Sequence, residues 1–156
     1  MADLLLLPDD QQTRYFALCS RGWALWRDER NPADAEAHFL RAWAIIPDPK
    51  MDYDETSSFL TGMVDFLKET RQLDKAFAWL PLLAECYGID NPHSQFKTAE
   101  IHFLAGQFDA AFALFDQLYK AWGRRPFAGE NPDCLAFYKE RRGRRTTAQR
   151  GADRED

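Results

Sequence analysis

The residues of this chain best suited to acid–base, nucleophilic or metal chemistry are three histidines, His38, His93 and His102, and three cysteines, Cys19, Cys86 and Cys134. Their spacing works against all three chemistries. A zinc site is usually signalled by paired ligands such as Cys-x-x-Cys or His-x-x-x-His, which one turn or one helix face presents together. Neither pair occurs. Asp52, Asp54 and Glu55 cluster as cation ligands do, but a calcium loop also needs a glycine and a distant glutamate at fixed offsets, and both are missing. These carboxylates read instead as residues of a helix start, where they favour the positive end of the dipole. There is no glycine-rich phosphate loop and no nucleophile elbow. The sequence therefore predicts a protein that is not an enzyme, with no catalytic residue, no cofactor and no metal. An odd cysteine count without a signal peptide predicts reduced thiols and a cytoplasmic location.

What remains for function is binding, and composition narrows the partner. Twelve Phe, five Trp and five Tyr supply more aromatic surface than a disordered chain carries, so a folded core is expected over residues 11–140. Residues 1–120 carry a net charge of −8 and residues 121–156 one of +3. An acidic body repels a phosphate backbone and steers a basic partner, so the reading is a protein partner and no nucleic acid. The apolar run Leu4–Leu7 is far short of the roughly 20 residues that span a bilayer, so no membrane is involved.

The elements that must position any binding residue are helices. Apolar residues recur at spacings of three and four, and no strand-like alternation persists. Pro8-Asp9-Asp10 precedes a first helix over about 11–28. Asn31-Pro32 caps a second, over about 32–46, which Pro47-Asp48-Pro49 ends. Further helices are expected over about 54–70, 73–87, 93–105 and 108–122, with Pro81 kinking or dividing the fourth and Gly123 closing the sixth. Asn131-Pro132 opens a short seventh helix over about 132–141, expected to cap the last hairpin. Residues 1–10 form an N-terminal segment, 11–141 the domain, and 142–156 a disordered basic tail whose Arg141, Arg142, Arg144, Arg145 and Arg150 are solvated.

One motif recurs. Gly106, Phe108, Ala111, Phe115 and Leu118 form a turn and the apolar stripe of a following helix. Weaker copies are Ala35-x3-Phe39-x2-Ala42-x4-Pro47, with Gly22 ahead of it, and Leu73, Ala76, Leu80 and Leu83, with Val64 and Leu67 ahead. The register alanines lie 41 and 35 residues apart. In these residues the chain resembles the tetratricopeptide repeat family, whose hairpins recur about every 34 residues. The resemblance covers residues 11–122. It implies an all-α fold, a right-handed superhelix of about three helical hairpins with a C-terminal capping helix. The segment from Trp122 through Arg125-Pro126-Phe127, Gly129, Pro132 and Leu135 to Phe137-Tyr138 resembles the ending of small bacterial repeat proteins encoded beside secreted toxins, some of them immunity proteins.

The family geometry implies a groove lined by the first helix of each hairpin. It would present Cys19, Trp23 and Trp26, then Thr61, Asp65, Lys68 and Glu69, then Phe96, Glu100 and Phe103. Asp65, Glu69 and Glu100 would form an acidic strip for Lys or Arg of a partner. His102 falls where the family carries an aromatic, and reads as a packed or interfacial residue. The function implied is an immunity protein that neutralises a basic toxin. The alternatives are a secretion chaperone or adaptor holding a client segment, and a homo-oligomeric scaffold; the oligomeric state is left open.

Overall fold

The computed structural model describes residues 3–152. Over them the chain is all-α, with no strand beyond an isolated bridge between Leu5 and Tyr53. The helices are α1 (Asp9–Arg27), α2 (Pro32–Ile45), α3 (Glu55–Glu69), α4 (Leu73–Tyr87), α5 (Pro92–Leu104), α6 (Phe108–Trp122) and α7 (Pro132–Ala152). They divide into two compact units, Met1–Cys86 and Tyr87–Asp156.

Local chemistry explains where these helices begin. Asn31, Asn91 and Asn131 each precede a proline, and each side-chain oxygen accepts from a first-turn amide. The donors are Asp34 N at 3.2 Å, His93 N at 2.9 Å and Asp133 N at 3.0 Å. The cap satisfies an amide with no partner inside the helix, and the proline lacks only a donor that would have gone unused. Three helices then bury the same stripe at i, i+4 and i+7. It is Ala35, Phe39 and Ala42 on α2, Ala76, Leu80 and Leu83 on α4, and Ala111, Phe115 and Leu118 on α6. The leading alanine is fully buried each time, as a residue chosen for close approach should be.

In the first unit α1 and α2 approach closely at Gly22. A Cβ there would stand 2.6 Å from Cε1 of Phe39, so only glycine lets the Phe39 ring lie on the α1 backbone. From Phe39 an aromatic chain runs to Trp23 at 5.1 Å and to Phe66 at 5.0 Å between ring centres. The N-terminal segment is tied to the start of α3. Leu5 N–H donates to the Asp52 carbonyl at 2.8 Å, and the Leu5 carbonyl accepts from Asp54 N–H at 2.9 Å. The buried Glu55 carboxylate accepts from Leu7 N–H and from Gln12 Nε2, both at 3.2 Å. Glu55 is thus a tether as well as a helix-start residue.

In the second unit Phe96, Phe115, Phe127 and Tyr138 form the middle of a core shared by α5, α6, α7 and the turn at Arg125–Phe127. Tyr138 Oη donates to Asp116 at 2.8 Å. Burial and that carboxylate push the Tyr138 hydroxyl up to about 12.

Three expectations need revision. First, α7 does not stop near residue 141; it runs to Ala152, so 142–152 are helical, while 153–156 lie outside the described residues. Arg144 pairs with Glu140 one turn back, and Arg145 lies on the Phe112 ring at 4.2 Å, contacts that a tally of apolar residues overlooks. Second, α1 starts at Asp9, two residues inside the segment assigned to the N terminus. Third, the alternative left open at Pro81 narrows: α4 is one helix across it and is not divided, with Pro81 on its exposed side.

A stability test isolates the Gly22 contact. Gly22→Ala should destabilise by about 1–3 kcal/mol, the usual cost of forcing atoms into a packed core. Gly62→Ala is the control, since its Cβ would meet Trp23 at an ordinary 3.6 Å. Thermal melts should separate the two variants, with Gly62→Ala at or above the parent.

Candidate partner-binding surface

Within the first unit, α1 and α3 flank a half-open cavity of about 200 Å³. Tyr15, Phe16, Cys19 and Trp23 come from α1, and Ser58, Phe59, Gly62 and Met63 from α3, with Phe39 of α2 behind them. Helical spacing explains the grouping, because positions 15, 19 and 23, and 58, 59, 62 and 63, each share one face. Phe16, at 52% exposure, stands at the rim. Drug-sized ligands occupy roughly 300–1,000 Å³. The space here suits one inserted side chain.

The polar lining is sparse. Burial pushes the Cys19 thiol up, and Tyr15 partly offsets this by a hydrogen bond. The Tyr15 hydroxyl, within reach of the Glu55 carbonyl at 3.4 Å, is also pushed up, chiefly by burial. Both groups are therefore neutral at physiological pH. Nothing in this lining pairs a base with an activated nucleophile.

Of the seven groove candidates of the first unit, Cys19 lines the cavity, and the other six also lie on α1 and α3, most of them touching one another. Trp23 and Trp26 are half-buried, each edge-on to Phe66 at 6.3 and 6.2 Å. Trp26 also donates its indole N–H to Glu69 at 2.8 Å. Arg27 covers the Trp23 ring at 4.4 Å and reaches Glu69 at 3.8 Å. Lys68 pairs with Asp65 at 3.4 Å, and Thr61 is half-buried on the same helix. Asp65 and Glu69 are therefore carboxylates already balanced by cations.

The three candidates of the second unit behave differently. Phe96 is 2% exposed and packs on Phe115 and Phe127 at 5.8 and 5.5 Å, so it is a core residue and presents no outer face. Glu100 is buried as well. Phe103 is half-buried against Phe108 and Phe137. Lys97, buried on the same helix, pairs with Glu130 at 3.5 Å. Aromatic spacing alone did not separate a ring facing inward from one facing a partner.

The histidines are held locally. His38 Nδ1 shares a hydrogen bond with the Asp34 carbonyl at 2.8 Å, and His102 Nδ1 one with Gln107 Oε1 at 2.6 Å. The His93 ring lies 4.8 Å from that of Tyr87. Among the described residues no group of three or more His, Cys, Asp or Glu is placed to hold a metal ion, and no helix is long and apolar enough to cross a membrane. Phe16, Ser58 and Gly62 were missed in the sequence because none has a motif of its own, and Phe16 and Ser58 directly adjoin the buried rings of Tyr15 and Phe59. Comparison with protein-family models, with curated proteins and with solved structures gives no match.

The thiols supply a direct check of this geometry. Cys134 is fully buried, while Cys19 and Cys86 are half-buried with raised values. At neutral pH all three should react with iodoacetamide more slowly than glutathione does, Cys134 slowest of all. Cys19 should speed up as pH rises above the ordinary thiol value. A native Cys19 as reactive as glutathione would contradict its half-burial in this cavity.

Proposed function

We propose that this chain is a non-enzymatic protein-binding module of the tetratricopeptide-like kind, its hairpins arranged as a right-handed superhelix. In the sharper form of the proposal it is a cytoplasmic immunity protein that neutralises a basic protein toxin. The observation that carries the binding role is the α1–α3 cavity, apolar, side-chain-sized and rimmed by an exposed Phe16. A leucine or phenylalanine of the partner fills it, and Trp23 and Trp26 flank the contact. Well-packed apolar pockets with aromatic surroundings are where binding energy concentrates.

The toxin role is supported by the net charge of residues 1–120 and by the likeness of the Trp122–Tyr138 segment to the ending of small bacterial repeat proteins encoded beside secreted toxins, some of them immunity proteins. The carboxylates beside the cavity fit a basic partner even though they are already paired. Glu69 and Arg27 are both exposed, and such a pair contributes only about 0–1 kcal/mol. Exchanging Arg27 for a partner's lysine or arginine therefore costs little.

Phe16→Glu with Ser58→Arg puts charge at the rim and bulk over the opening, at two exposed positions. Against a basic toxin encoded beside this chain, the double variant should bind at least roughly tenfold more weakly. It should also release the toxin's activity in a growth assay. Unchanged affinity would remove the cavity from the account. Binding restricted to an unfolded segment, with toxin activity intact, would replace the immunity reading with a chaperone.

A further inference from the structure

The second unit carries a larger hollow of about 500 Å³, between the first turn of α6 and the middle of α7. It is lined by Phe108, Phe137, Glu140, Arg141, Arg144 and Arg145. Phe108 is 48% exposed, a large ring held in water at the rim, and its centre lies 5.5 Å from that of Phe137. An apolar floor thus meets a row of guanidinium groups.

The three arginines are not equivalent. Arg141 is already engaged across the α6–α7 packing, ion-paired with the exposed Asp109 and lying over Phe137 at 6.0 Å. Its hydrogen bond is the main reason the Asp109 carboxyl sits below the usual range. Arg144 pairs with Glu140 one turn back, both side chains well exposed, so the contact is weak and readily exchanged for another carboxylate. Arg145 rests its guanidinium on the Phe112 face at 4.2 Å. Stacking uses the flat face of a guanidinium and leaves its in-plane N–H edge available, the edge that receives a carboxylate in two parallel hydrogen bonds. The stack also fixes the group in place, so little side-chain freedom remains to be lost on binding.

We propose that this hollow docks an acidic segment of a protein partner. A carboxylate of that segment bridges Arg145 and Arg144, and a neighbouring aliphatic or aromatic side chain covers Phe108 and Phe137. Charge complementarity selects this occupant. Helix α7 carries six basic and two acidic residues, whereas residues 1–120 are strongly acidic. An acidic segment is drawn to α7 and repelled elsewhere. The proposal stands apart from the α1–α3 reading, since it uses other residues and the opposite charge.

The probe is a fluorescein-labelled peptide alternating glutamate with leucine and phenylalanine; the control peptide has lysine for every glutamate. Anisotropy with the full chain should give saturable binding of the acidic peptide, weakening with salt, and none of the control. Arg144→Glu with Arg145→Glu should weaken it at least roughly tenfold. Phe108→Ser, which leaves every arginine in place, should also weaken it, and Phe16→Glu should not. The proposal is overturned if the acidic peptide does not saturate, or if neither the arginine pair nor Phe108 alters its affinity. It is also overturned if a single-stranded oligonucleotide binds more tightly than the peptide.

Discussion

The contact between Phe39 and the backbone at Gly22 sets the geometry on which the first unit and its candidate surface depend. With no side chain at Gly22, the ring settles directly on α1 and brings α2 close. That position puts Phe39 in contact with Trp23 and Phe66, and the same ring forms the back wall of the α1–α3 cavity. Any side chain at position 22 moves the ring, and a displaced ring alters both the aromatic chain and the cavity floor. One missing methyl group therefore links packing to recognition. Phe66 extends the effect by touching both Trp23 and Trp26, so the two indoles are positioned from beneath by one residue.

How much of this was legible in the sequence depended on whether one residue type was enough to specify the local structure. Most helix limits were, because Asn-Pro pairs and terminal glycines mark ends with little help from the rest of the fold; the start of α1 and the end of α7, which lack those marks, were not. The stripe headed by Ala35, Ala76 and Ala111 was also legible, since it needs only helical periodicity. The turns were less so. Arg30 and Arg71 adopt the same left-handed backbone as Gly106, with φ of 52°, 58° and 76°. An arginine in that conformation gives no sequence signal, which is why two hairpins read as faint echoes of the third. Gln72 N–H to the Leu67 carbonyl and Gln107 N–H to the His102 carbonyl, 2.8 and 2.9 Å, close two of these turns alike.

The candidate surface was legible only in part, because side-chain orientation is a property of packing. Trp23 and Trp26 lie at the α1–α3 face, but Phe96 turned inward and Glu100 is buried. The acidic strip proved to be a set of carboxylates in contact with Lys68, Arg27 and the Trp26 indole. Conversely, the arginines of residues 141–145 looked like a solvated tail because nothing apolar accompanies them locally. Phe137 lies one turn before Arg141 on α7 itself, but Phe112, the ring under both Arg141 and Arg145, reaches them only through the packing of α6 against α7. Sequence charge describes how many ionic groups there are; the fold decides which of them face a partner.

Recognition by the α1–α3 face is the central claim, and an amide and indole NMR titration tests it most directly. With nitrogen-labelled chain and the unlabelled basic toxin, the account predicts the largest shifts at Phe16, Cys19, Ser58 and Gly62 and at the indole N–H groups of Trp23 and Trp26. Shifts confined to other helices, with these six signals unmoved at saturation, would contradict it.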